Sequence, residues 1–264
     1  MSLNSMTSER VRWVMGTLCS IKAPGASLDV VTAAFEELER WDRILSVHKE
    51  ESELSGLNRA AGLGPLRVSA DLFVAVACAL RFAELSEGLF DPTVRPVLRS
   101  GPQALGLTGW REVELDARAR TIELPVQGME FDFGGFGKGW ALDRAAQILR
   151  ESGVEAALLN FGGQILAVGA PNGAEGWLVH VPGAPEPIVL RDASVAVSGD
   201  SERPGHIYSP FDGRPVRRLG SAAAVCSSAV EADAWSTPLY ILGRNPRFFR
   251  GRSFFEIRDN GGRL

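Results

Sequence analysis

Asp132-Phe133-Gly134-Gly135-Phe136-Gly137-Lys138-Gly139 is the stretch from which the middle of the chain is read. It runs directly into a helical pattern over Lys138–Ser152, with Leu142, Ala145, Ile148 and Leu149 inward and Gly153 at its end. A strand pattern, Ala156–Leu159, follows. Toward the N-terminus, Leu28–Leu45 predicts a strong helix. Its apolar residues Val31, Ala34, Phe35, Leu38, Trp41 and Leu45 recur at spacings of three and four, with Ser27 or Asp29 as a cap. Ser69 caps a second helix through Ala83, and Gly88 stops it. Trp13–Ile21 reads as a strand broken at Met15-Gly16-Thr17, Ser52–Asn58 as a polar turn, and Gln103–Leu124 as short strands with a hairpin near Asp116. Toward the C-terminus, Trp177–Val181, Pro187–Leu190, Ser194–Val197 and Ser221–Val225 read as strands and Glu231–Leu242 as a last helix. Helices first, then mixed strands and helices, predict an α+β fold in one compact unit.

Composition bounds the function. The chain has 264 residues, 45% of them hydrophobic and 23% charged, which is ordinary for a globular protein. A net charge of −4 argues against a nucleic-acid partner. The three cysteines, Cys19, Cys78 and Cys226, lie far apart, which argues against a disulfide framework or a structural zinc site. No apolar run is long enough for a membrane helix, and the polar segment Met1–Arg12 has no signal core. These features predict a soluble protein, cytoplasmic by sequence, or periplasmic if a signal segment has been removed. Residues 1–12 are expected to be a flexible N-terminus or tag remnant, and residues 13–264 the functional domain.

Four segments carry chemistry. The glycine run before Lys138 lets a backbone approach a ligand, and the helix start behind it offers N–H groups to an anion. Lys138, one of only three lysines, adds a point charge. The spacing is neither that of a P-loop nor that of a dinucleotide fingerprint, so a phosphate site and a tight strand-to-helix turn both remain open. Asn160-Phe161-Gly162-Gly163 permits a sharp bend, and Ser198-Gly199-Asp200-Ser201-Glu202-Arg203 reads as a polar loop. His206, at the mouth of the turn His206–Pro215, has the chemistry of a base toward a hydroxyl, although a lone histidine is more often a structural residue. Asp233 and Thr237, spaced i, i+4, project oxygens from one helix face. A carboxylate and a hydroxyl suit magnesium, which completes its shell with water and substrate phosphate. A solvated helix face is the competing reading, against which Ala232, Ala234 and Trp235 are too apolar.

Taken in order, these segments resemble the ApbE family of flavin transferases. The resemblance runs from Met15 to Gly243 through Met15-Gly16-Thr17, Ser46–Asn58, Glu87–Val94, Asp132–Asp143, Asn160–Gly163, Ser198–Asp200, His206–Gly213 and Glu231–Thr237. It implies a single ApbE-like α+β domain with a flavin cleft. The implied reaction is a magnesium-dependent transfer of FMN from FAD to a threonine hydroxyl of an acceptor protein, with release of AMP. By position, the metal ligands implied are the Gly135 carbonyl and the side chains of Asp233 and Thr237, with Asp233 essential to catalysis and His206 the base. The FAD contacts implied are Met15, His48, Leu89, Phe90, Asp91, Asp132, Lys138 and Ile207. Two alternatives are carried beside it: an FAD pyrophosphatase giving FMN and AMP, and a non-catalytic FAD-binding protein. The oligomeric state is left unassigned. Four positions depart from the family pattern. His48 replaces a tyrosine, Ser209 an aspartate beside the His206 turn, and Gly137 an alanine. Pro238 follows Thr237, where proline biases its predecessor away from helical geometry.

Overall fold

Three serine caps set the first helices. Ser27 Oγ accepts from Val30 N at the start of α1 (Leu28–Leu45), Ser52 Oγ from Ser55 N at α2 (Glu53–Arg59), and Ser69 Oγ from Leu72 N at α3 (Ala70–Leu85). The expected turn at Ser52–Asn58 is therefore helical, because Ser52 supplies a cap and Leu54 and Leu57 supply a buried face. The computed structural model describes residues 7–182, 184, 186–199, 205–218, 220–243 and 253–257.

Ahead of α1, β1 (Thr7–Val14) and β2 (Thr17–Pro24) form a hairpin in which Val14 faces Thr17. The two-residue turn between them has Met15 at φ 46° and Gly16 at φ 74°, the mirror-image turn that matches strand twist. Residues 7–12, expected to be flexible, are thus paired in a strand, while residues 1–6 lie outside the described residues. After β3 (Leu66–Arg67) and α3 come α4 (Arg95–Ser100) and two short 3-10 turns, Pro102–Leu107 and Trp110–Glu112. The expected hairpin near Asp116 is β4 (Glu114–Asp116) with β5 (Thr121–Glu123), and β3 completes that small sheet. Then follow α5 (Gly137–Glu151), β6 (Ala157–Phe161), β7 (Gln164–Val168), β8 (Trp177–Val179), β9 (Ile188–Leu190), β10 (Ala193–Gly199), β11 (Ser221–Cys226), α6 (Ala229–Leu242) and β12 (Ser253–Ile257).

The main sheet is antiparallel throughout, in the order β1-β2-β6-β7-β10-β11-β12. Alternation along its strands divides two faces. Leu159, Phe161, Leu166, Ala196 and Ala224 join the large core beneath the helices, whereas Ala167, Val195 and Ala223 pack under the β8–β9 hairpin with Trp177, Val179 and Leu190. The fold is α+β in one domain, and no helix among the described residues is long and apolar enough to cross a membrane.

The helix expected over Glu231–Leu242 forms, and the bias expected from Pro238 does not disturb Thr237. α6 runs through the proline unbroken, with Trp235, Pro238, Leu239 and Tyr240 buried. Tertiary packing of this face outweighs the roughly 3 kcal/mol that an interior proline costs, and Thr237 stays on the same helical face as Asp233. The Ser198–Gly199 segment differs from its expected form. It is the end of strand β10 rather than loop, and Asp200–Arg203 lie outside the described residues.

Candidate active site

Helices α5 and α6 cap each other. Phe136, at the N-cap of α5, offers no side-chain cap, and Asp233 Oδ2 of α6 instead accepts from Gly139 N at 3.0 Å. In return Asp143 of α5 accepts from Ala229 N at 2.8 Å and Val230 N at 2.9 Å, at the start of α6. Each carboxylate thus meets the positive end of the opposite helix. Glycine at position 139 makes this approach feasible, since a Cβ there would run into the Ala229 carbonyl oxygen and lie 2.8 Å from Asp233 Cβ.

Lys138 stands at this junction. Its Nζ donates to Gly134 O at 3.2 Å and lies 3.8 Å from Asp233 Oδ1. Gly135 comes next. A Cβ on it would be 3.2 Å from Thr237 Oγ1 and 3.8 Å from Phe90 Cε2, so the glycine loop lies directly against the Thr237 hydroxyl. Ser198 Oγ closes the group, 3.3 Å from Thr237 Oγ1 and 2.8 Å from Ser236 Oγ. The structure therefore brings Gly135, Lys138, Asp233 and Thr237 together from two helices and one loop. Burial pushes the Asp233 carboxyl above its ordinary range, partly offset by the Lys138 charge and the Gly139 N–H. Burial likewise raises Asp143, against its bonds from Val230 and Ala229.

Asp132 lies one step away. Its Oδ1 accepts from Gly134 N at 2.8 Å and its Oδ2 from Arg95 Nη1 at 2.9 Å. His48 is exposed and lines a cavity of about 240 Å³ with Asn58, Arg59, Arg95, Arg99 and Glu130. Met15 sits in the left-handed region at the β1–β2 turn, where a non-glycine residue stores on the order of 1–3 kcal/mol of strain, a feature that concentrates at ligand clamps. The neighbouring Thr17 packs against Gly162, so the Asn160–Gly163 turn and the Met15 turn form one edge.

Leu89 and Phe90 are buried, 7% and 5% exposed, which leaves their backbone rather than their side chains to meet a ligand. Asp91 Oδ1 accepts from Thr93 N at 2.8 Å and Thr93 Oγ1 at 2.7 Å, and burial raises its carboxyl against these bonds. Asp91 lines a second cavity of about 390 Å³ with Gly88, Thr108, Trp110, Pro210 and Phe211. The turn that carries Ile207 and His206 thereby comes over the Leu89–Asp91 segment. Ile207 is buried and its carbonyl accepts from Val216 N, while His206 is exposed.

Two family departures change meaning in three dimensions. The His206 turn keeps a carboxylate despite Ser209. Asp212 accepts from Arg214 N at 3.1 Å, and this bond and the Ser209 hydroxyl hold its carboxyl below the ordinary range. Gly137 is spatially neutral, since a Cβ there would make only ordinary contacts with Phe133 and Leu45. Sequence reading misses Arg95, Asp143 and Ser198. Asp143 falls within the quoted Asp132–Asp143 block, but its partner N–H groups belong to a helix that starts 86 residues further on. Ser198 falls within the quoted Ser198–Asp200 segment, read there as a loop, but its partners Ser236 and Thr237 are 38 and 39 residues further on.

The donor set at the junction is one buried carboxylate and a hydroxyl, with the Gly134–Gly135 loop against them. Among the described residues no group of three or more His, Cys, Asp or Glu is placed to hold a metal. A site so poor in protein charge and made of oxygen alone fits magnesium, which relies on substrate phosphate and water for the rest of its shell.

Comparison with known proteins identifies the family. The family model ApbE matches residues 15–251. A Treponema pallidum protein named FAD:protein FMN transferase is 30% identical, over 89% of this chain and 78% of its own. A Klebsiella pneumoniae protein of the same name is 28% identical, over 87% and 81%. The crystal structure of the ApbE protein from Thermotoga maritima superposes with a TM-score of 0.86 at 25% identity, covering 97% of this chain and 96% of that one. With the family model spanning nearly all of the described residues, and the glycine loop, Lys138 and Asp233 assembled at one junction, the chain belongs to the ApbE family.

Proposed function

We propose that this ApbE-family transferase moves FMN from FAD to a threonine hydroxyl of an acceptor protein, with magnesium, and releases AMP. The observation that carries the reading is the α5–α6 junction, where Lys138 lies 3.8 Å from a buried Asp233 beside the Gly134–Gly135 loop. A carboxylate buried against one lysine is costly to keep, and such groups concentrate at functional sites. Asp233, Thr237 and the Gly135 carbonyl would hold the magnesium, which when bound offsets charge on the pyrophosphate oxygens and the departing AMP.

The remaining work falls to the chain's own residues. Lys138 places a fixed positive charge beside the phosphoryl oxygens. Met15, His48, Asp132, Ile207 and the Leu89–Asp91 backbone would position FAD, with His48 and Asp91 each lining a cavity. The threonine oxygen of the acceptor attacks the FMN phosphorus, and the bond from that phosphorus to the bridging oxygen of AMP breaks. His206, exposed where an acceptor protein arrives, takes the threonine proton. The test is product analysis by mass spectrometry after incubation with FAD, magnesium and a threonine-bearing acceptor. FMN on the acceptor with matching AMP supports the proposal. Free FMN with AMP points to a pyrophosphatase, and unchanged FAD to a binding protein; either result overturns it.

A further inference from the structure

Arg95, at the start of α4, makes contacts that no role so far described requires. Its side chain is only 17% exposed, and its guanidinium joins three segments that are far apart in the chain. Nε donates to Glu130 Oε2 at 2.9 Å, Nη1 to Asp132 Oδ2 at 2.9 Å, and Nη2 to the Val47 carbonyl at 3.3 Å. Val47 immediately precedes His48, and Asp132 Oδ1 in turn holds Gly134 N at the head of the glycine loop. The planar fork of arginine is suited to hold several acceptors in fixed directions, which a lysine ammonium does not do. Arg99, one turn further along α4, also meets Glu130, at 2.8 Å, but its side chain is 62% exposed.

We propose that Arg95 is a positioning residue for FAD. It aims Asp132 and anchors the backbone at His48, and so holds the two walls of the flavin cleft at a fixed separation. The inference rests on the reading of Asp132 and His48 as FAD contacts. Arg95 itself need not touch FAD, because its donors are directed at Glu130, Asp132 and Val47. Its effect must therefore pass through Asp132 and the Val47–His48 backbone, and it should appear in ground-state FAD binding more than in the chemical step.

The experiment measures the FAD dissociation constant and the steady-state constants for wild type, Arg95→Met, Arg95→Lys, Asp132→Asn and the double variant Arg95→Met/Asp132→Asn, with Arg81→Met, an exposed arginine of α3 outside both cavities, as control. Charge-assisted hydrogen bonds of this kind give losses of about 10- to 100-fold. Arg95→Met is expected to weaken FAD binding by that factor and raise KM for FAD, with kcat at saturating FAD changed far less. Arg95→Lys should fall between it and wild type, and Arg81→Met should bind as wild type. In the Asp132→Asn background the loss from Arg95→Met should shrink to the part carried by the Val47 carbonyl, since coupled residues are not additive. A merely structural arginine would lower kcat through a smaller active fraction and leave KM alone, and Arg95→Lys, read beside its melting curve, separates that case from misfolding. Wild-type FAD affinity in Arg95→Met, or an undiminished loss in the Asp132→Asn background, overturns the inference while leaving the transferase reading intact. A wild type that fails to bind FAD overturns both.

Discussion

At the α5–α6 junction Asp233 is 5% exposed, fixed by a helix N–H, and faced by a lysine whose own Nζ is tied to the loop behind it. At the rim His48 and His206 lie exposed on turns. The interior charges are placed by two helices that cap each other and by a glycine that admits no side chain. The rim groups are placed by turns such as Ser209–Arg214, closed by a few hydrogen bonds. The difference implies a division of labour. On the proposed function the enclosed half would hold the pyrophosphate and cation, where each charge acts strongly, and the open half would admit the protein acceptor.

The deepest way to break this division is to remove the interior carboxylate. Asp233→Ala should abolish turnover while the far-UV spectrum and cooperative melting persist; a variant with wild-type turnover at low magnesium contradicts the role. Next, His206→Ala should lower the transfer rate by about 10²–10⁴-fold, with FAD affinity nearly unchanged. Rates at saturating FAD test this, and a fully active variant would make the histidine a turn residue. Gly139→Ala should be costlier to the fold than either, because its methyl meets the Ala229 backbone. A loss of about 1–3 kcal/mol in chemical denaturation is expected, with activity falling as Lys138 and Asp233 part. Lys138→Ala should weaken FAD binding about tenfold in calorimetry, and Lys138→Arg less; unchanged affinity would return the segment to a plain turn.

The smallest effect sharpens the comparison through pH. Burial raises the Asp233 carboxyl, so the native state holds that proton more tightly than the unfolded chain. Its contribution to stability is present below the unfolded value and is lost as pH rises through the raised folded value. Asp233→Asn buries no charge. Without divalent cations it should melt higher than wild type near neutral pH, and the gap should narrow on acidification. A variant that melts lower at neutral pH would show that Lys138 and the Gly139 N–H outweigh the burial cost.

Much of the fold was legible because its periodicities are local. The spacing in α1 names its buried residues one by one, and its limits agree with the structure. The Ser52 helix was hidden by its polar composition, and the Met15 turn by a methionine where such turns favour asparagine or glycine. Of the site, the pair Asp233 and Thr237 was readable as an i, i+4 pattern and Lys138 as a charge behind glycines. Reciprocal capping by Asp143 and bridging by Arg95 were not, because their partners are 86 and up to 48 residues away. Proline at 238 misled by its propensity, which packing of α6 against the sheet overrides.

The central claim is that the enclosed α5–α6 junction holds the cation that FAD requires, with Asp233 as its one charged ligand. Calorimetric titration of magnesium into the FAD complex tests it most directly, for wild type and for Asp233→Asn, which keeps the shape and removes the charge. Saturable binding to wild type and none to the variant is the predicted result. Equal binding by both proteins would contradict the account and move the cation away from this junction.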